Sequence, residues 1–111
     1  MAITYDLVKQ VACDLYGWSL KKVPDDTQAA LAAAAERETS PASRQTLRFL
    51  QAAAVAAERE NRHACSDAGF PTYFVKIGTR VQLDGDIRRA FVDGFAQLVE
   101  TIDPPILQFI T

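Results

Sequence analysis

The sequence predicts a mainly α fold with a small β element: an α+β arrangement of four amphipathic helices and one or two short strands. A single domain is expected to span residues 1–111. Three observations lead there. Apolar residues recur every three or four positions through most of the chain, the period of a helix with one buried face. Two alanine-rich runs, QAALAAAAERE and QAAAVAAERE, are dense in strong helix formers. Aromatic and β-branched residues concentrate in one stretch, FPTYFVKIG, which has the composition of a strand.

Taken in order, Ile3, Leu7, Val11, Leu15 and Trp18 mark one face of a first helix. That helix is expected to end near Gly17, ahead of a loop at residues 21–24. A second begins near Asp25 and Asp26, acids placed where the positive end of the helix dipole favours them. Ser40 is a natural N-cap for a third helix, with Pro41 at its first position, where a missing N–H costs nothing. That helix runs to about Asn61 and sets Leu47, Leu50, Ala54 and Ala57 on one side, its alanines permitting close helix–helix approach. FPTYFVKIG follows as a short strand with Pro71 at its start, where no ladder donor is lost. A turn at residues 84–86 leads into a fourth helix with Ile87, Phe91, Leu98 and Ile102 facing inward, and Asp103–Pro104–Pro105 stops it. The tail ILQFIT reads as a strand or segment awaiting a partner. Two short alanine runs do not make a structural repeat.

Composition narrows the function. Hydrophobic residues make up 49% and charged residues 23%, so one packed core is expected. The net charge is −2 with no basic block, which argues against a nucleic-acid partner. No apolar stretch is long enough to cross a bilayer, and the N-terminus lacks the pattern of a signal peptide. Two cysteines without other marks of a secreted disulfide scaffold fit a cytoplasmic protein.

The chemistry-bearing candidates cluster in HACSDAG, residues 63–69, a polar loop between a helix and the expected strand. Cys65 there is a metal ligand, a nucleophile, or a small buried hydrophobe. No CxxC or Cys/His spacing marks a zinc site. His63, two residues away, reads as a loop residue, because Cys–His pairs in enzymes come from separate parts of a chain. Asp67 is a catalytic carboxylate or a turn former ahead of Gly69. Lys76 reads as a solvent-facing strand position, and Cys13, within the first helix, as packing.

The order of features goes beyond composition. YDLVKQVACDLY, VPDDTQAALAAAAERE, SPASRQTLRFLQAAAVAAERENR, CSDAGFPTYFVKIG and DIRRAFVDGFAQLVE follow one another. Together they resemble the N-terminal part of class I fumarases and of the alpha subunit of tartrate dehydratase, from about Tyr5 to Ile106. The most specific part is Cys65–Ser66–Asp67–Ala68–Gly69 before the run ending in VKIG. In that family the segment reads Cys-Gln-Asp-Thr-Gly, and its cysteine is one of three thiolates holding a four-iron, four-sulfur cluster. The fourth iron has an open position and acts as a Lewis acid in adding or removing water beside a carboxylate.

The resemblance therefore implies that Cys65 is a metal ligand, that Ser66 and Asp67 bind substrate, and that Asp67 is catalytic. It implies reversible hydration of a small dicarboxylate, fumarate- or tartrate-like. The chain departs from the pattern at Ser66 and Ala68, which shorten or remove two polar groups of the family's pocket. No cysteine follows Cys65. The expectation is thus a truncated or split alpha-type part of an iron–sulfur hydro-lyase that is inactive alone. A 4Fe-4S cluster is expected only where a partner supplies the other ligands. That partner is the missing alpha-type remainder, a beta-type subunit or, as a homo-oligomer, a further copy. The alternative is a non-catalytic relative acting as a binding or regulatory module; a weaker third reading makes Cys65 a thiolate nucleophile. Leu107, Phe109 and Ile110 are expected to form an exposed apolar end that a partner covers.

Overall fold

A computed structural model describes residues 2–65 and 69–107. The element order is β1 (Ala2–Thr4), α1 (Tyr5–Lys21), α2 (Asp25–Arg37), α3 (Pro41–Glu60), β2 (Gln82–Asp84) and α4 (Ile87–Thr101). The fold is mainly α with a small β element, the class the sequence predicts. The chain divides into two compact units, residues 1–18 with 67–111, and residues 19–66.

In the unit of residues 19–66, α2 and α3 form a helical hairpin. Ser40 caps α3, its hydroxyl accepting from the Ser43 N–H at 3.4 Å, and Pro41 opens the helix. Glu38 Oε1 accepts from the N–H groups of Thr39 and Ser40, both at 2.9 Å, which fixes the three-residue turn. Ala35 of α2 and Ala54 and Ala57 of α3 are buried. With no side chain beyond Cβ, these residues let two helices approach closely without losing rotamer entropy. Leu47 is half-buried and Leu50 exposed, so only the alanine half of the expected α3 face is inward.

In the other unit, β1 and β2 pair in parallel, Ile3 opposite Leu83. Ile3 therefore belongs to a strand rather than to the first helix. Each strand feeds a helix. Gly85, at φ +95°, makes the turn into α4, with the Tyr5 Cβ 3.0 Å from where its own Cβ would sit. Asp86 then caps α4 by accepting from the Arg89 N–H at 2.9 Å. Asp86→Ala is expected to lower stability by about 1 kcal/mol, read as a shift in urea midpoint at unchanged slope.

The core of this unit corrects the expected stripe. Leu7, Val11, Leu15 and Trp18 are exposed, Trp18 at 70%, while Val8, Ala12, Cys13 and Tyr16 of α1 are buried. From α4, Ala90, Gly94 and Leu98 are buried, one residue per turn. A Cβ on Gly94 would lie 2.5 Å from the Lys9 carbonyl oxygen and 2.9 Å from the Ala12 Cβ. The two helices touch backbone to backbone, and only a narrow ridge of small residues fits such a crossing. That geometry, not total hydrophobicity, selects the buried face of α1. The helix also continues through Gly17, where a Cβ would meet the Leu98 Cδ1 at 3.3 Å, and ends at Lys21.

FPTYFVKIG differs from expectation too. Residues 70–78 carry no regular secondary structure, and the strand lies at Gln82–Asp84 instead. A strand exists only with a ladder partner, and the described residues offer this stretch none. Ile106 of the tail is buried and Leu107 half-buried; Phe109 and Ile110, the rest of the expected apolar end, lie outside the described residues. No helix among the described residues is long and apolar enough to cross a membrane.

Candidate functional site

Cys65 follows the end of α3. Asn61 takes the left-handed conformation at φ 53°, and the Arg62 N–H returns to the Ala57 carbonyl at 2.9 Å, a helix-ending turn. Lys21 Nζ donates to Asn61 Oδ1 at 3.2 Å, and the Ala64 N–H donates to the Leu20 carbonyl at 2.8 Å. The chain is thus held by main-chain hydrogen bonding one residue before the thiol. Cys65 itself is exposed. Its reading as a small buried hydrophobe is excluded. That role falls to Cys13, buried in α1, whose thiol pKa is raised by burial and by the nearby Asp14 charge. His63 is half-buried. Ser66 and Asp67, the expected substrate-binding and catalytic residues, lie outside the described residues, as does Ala68.

Beyond the loop, the chain is tied to α1 within its own unit. The Tyr16 hydroxyl donates to the Gly69 carbonyl. The Tyr73 hydroxyl donates to the Ala12 carbonyl at 2.8 Å. Tyr16 packs on Phe95 at 5.5 Å between ring centroids and Tyr73 on Phe91 at 4.9 Å, both tilted. Burial raises the pKa of both phenols, so they remain protonated donors across the neutral range.

A polar cluster that sequence reasoning missed closes the same unit. Tyr5 donates to Asp93 Oδ2 at 2.5 Å, and Arg89 Nε sits 2.9 Å from Asp93 Oδ1. Tyr5 and Asp93 are 88 positions apart, and no local pattern pairs them. Only the Arg89–Asp93 spacing, one helical turn, was visible. The hydrogen bond from Tyr5, followed by Arg89, holds the Asp93 carboxyl below its usual 3.8, and the same bond raises Tyr5 above 10.0.

A carboxyl with a lowered folded pKa stabilises the fold above 3.8, and that contribution is lost as pH falls through the folded value. Tyr5 works in the opposite sense: its contribution is complete below 10.0 and fades as pH rises through the raised value. Tyr5→Phe is therefore expected to flatten the fall in melting temperature on the acid side, measured from neutral pH to below pH 3.8.

Among the described residues no group of three His, Cys, Asp or Glu side chains is placed to hold a metal ion. The sequence contains two cysteines, and one of them, Cys13, is buried within α1. A four-iron cluster needs three or four soft thiolates. The donor set of this chain alone does not fit one.

Residues 9–103 match the family model described as fumarate hydratase (Fumerase). The chain belongs to the fumarate hydratase family, and the match is to an N-terminal part of it. No curated protein and no solved structure matches the chain.

Proposed function

We propose that the chain is a truncated or split alpha-type part of an iron–sulfur hydro-lyase. It acts in an assembly that reversibly hydrates a small dicarboxylate, fumarate- or tartrate-like. The single observation carrying this reading is the family match over residues 9–103. In this reading Cys65 is the one thiolate this chain contributes to a 4Fe-4S cluster. Asp67 and Ser66 face the substrate, with Asp67 holding or moving the proton. The other ligands come from the missing alpha-type remainder or a beta-type subunit.

Two observations support it. Cys65 is exposed, as a ligand shared with another chain must be. Leu7, Val11, Leu15 and Trp18 are exposed along one side of α1, and apolar residues grouped in this way support an interface there.

The test is anaerobic isolation of the tagged chain from its source cells, with iron, acid-labile sulfide and fumarate hydration measured on the complex. Iron and sulfide in the complex, together with hydratase activity, are expected. A complex without iron sinks the proposal and favours a non-catalytic relative, the reading that the departures at Ser66 and Ala68 support. Loading the isolated chain with iron and sulfide is expected to give no stable cluster. A stoichiometric cluster on the chain alone contradicts the need for a partner.

A further inference from the structure

We infer that Tyr16 is a positioning residue for the reaction: together with Tyr73 it clamps the chain at Gly69, two residues after Asp67. The inference rests on the hydro-lyase reading, in which Asp67 holds or moves the proton.

The clamp is reciprocal. Tyr16, on α1, donates outward to the Gly69 carbonyl. Tyr73, on the segment that follows, donates back to the Ala12 carbonyl of α1 at 2.8 Å. Ala12 and Tyr16 are one helical turn apart, so the segment is fastened to α1 at two successive levels. A helix carbonyl keeps a second lone pair, so Tyr73 takes no bond from the helix. Each ring is seated on α4, Tyr16 on Phe95 and Tyr73 on Phe91, again one turn apart. A tyrosine has only two side-chain torsions, and ring packing fixes both at low entropic cost, which aims the hydroxyl.

The main chain supplies no other hold on this stretch. Among the described residues, no main-chain N–H or C=O from Phe70 to Ile77 makes a hydrogen bond. The two phenol bonds therefore carry the hydrogen-bonded attachment of residues 69–77. Asp67 lies outside the described residues, but chain connectivity keeps its Cα within about 7 Å of the Gly69 Cα. A carboxylate that moves a proton must stay within hydrogen-bond reach of it. A misplacement of about 1 Å can cost roughly 100-fold in rate. Losing the bond at Gly69 frees the chain on the side of Asp67 that α1 holds.

Tyr16→Phe tests this, because it deletes the hydroxyl and keeps the ring on Phe95. In the anaerobically isolated complex, kcat for fumarate hydration per iron-bearing complex is expected to fall roughly 10- to 100-fold. KM is expected to stay within about twofold, the split that marks lost positioning rather than lost binding, and iron per chain to stay unchanged. Tyr73→Phe, which frees the Ala12 carbonyl, is expected to act in the same direction. Tyr5→Phe is the control: it removes the phenol bond to Asp93, elsewhere in the same unit, and is expected to leave kcat unchanged. Unchanged kcat in Tyr16→Phe overturns the inference, as does an equal fall in Tyr5→Phe.

A second measurement needs no partner. In the isolated chain, chymotrypsin at low dose is expected to cut after Phe74, which is 97% exposed and follows Tyr73. Cutting should quicken roughly fivefold in Tyr16→Phe, the factor that one lost hydrogen bond gives to the open population, and not in Tyr5→Phe. A wild-type complex without hydratase activity sinks the hydro-lyase reading, and the clamp is then decided by this digestion alone. Equal cutting rates in Tyr16→Phe and wild type overturn it.

Discussion

Gly94→Ala is expected to destabilise the chain by about 2 kcal/mol net. The added methyl would sit 2.5 Å from the Lys9 carbonyl oxygen, 2.9 Å from the Ala12 Cβ and 3.3 Å from the Cys13 nitrogen. Two of those three atoms are backbone of α1 and cannot turn aside. Relief requires moving α4 away from α1, which loosens the burial of Ala90 and Leu98 on the same ridge. Overpacking of this kind costs roughly 3 kcal/mol at its upper range. Alanine regains about 1 kcal/mol of helix propensity over glycine, which leaves the net figure.

Gly17→Ala is the control. It too is a helical glycine, but its methyl would meet only the Leu98 Cδ1, at 3.3 Å, and that side chain end can shift by a few tenths of an ångström. Its propensity gain of roughly 0.5–1 kcal/mol is then unopposed, and stability is expected to hold or rise. Urea unfolding of both variants checks the pair. Equal effects at the two sites would show that backbone-to-backbone contact at the α1–α4 crossing is not what constrains Gly94.

The same crossing explains which parts of the fold were legible. The starts of α2, α3 and α4 were readable because their signals are local, whereas α1 runs past the end expected at Gly17. Ser40–Pro41, the Asp25–Asp26 pair and Asp86 act within one turn, and each starts a helix where expected. The buried face of α1 was not readable. Leu7, Val11, Leu15 and Trp18 give the stronger apolar stripe, yet the core takes Val8, Ala12, Cys13 and Tyr16, because α4 approaches through Gly94. Periodicity measures how apolar a face is, not how near a partner backbone must come.

The strand error has a similar source. Residues 70–78 have strand composition, but pairing is non-local, and β1 pairs instead with the Leu83 segment. At the site, Cys65 is exposed just after α3, where the sequence expects a loop, while Ser66, Asp67 and Ala68 lie outside the described residues. The tyrosines tying the following segment to Ala12 and Gly69 were not, since they span 53 and 61 positions.

The second large effect is expected at the two cysteines, which should respond in opposite ways to the same substitution. Cys13 is buried on α1 beside Gly94. Cys13→Ser replaces a weakly polar thiol with a hydroxyl in an apolar site and is expected to cost roughly 1–3 kcal/mol. The low end applies if the hydroxyl bonds back to the carbonyl one turn earlier, as serine does in helices. Cys65 is exposed, so Cys65→Ser is expected to change the melting of the isolated chain by no more than about 0.5 kcal/mol in equivalent stability.

In the anaerobically isolated complex the order reverses. A serine hydroxyl is a hard, weakly acidic donor and does not replace a soft thiolate on iron–sulfur, so Cys65→Ser is expected to abolish iron retention while Cys13→Ser leaves iron per chain unchanged. Iron and acid-labile sulfide per chain, measured beside urea unfolding of the isolated chain, separate the two roles. Full iron in the Cys65→Ser complex would remove Cys65 from the ligand set. Its exposure would then have to be explained by the surface that covers it.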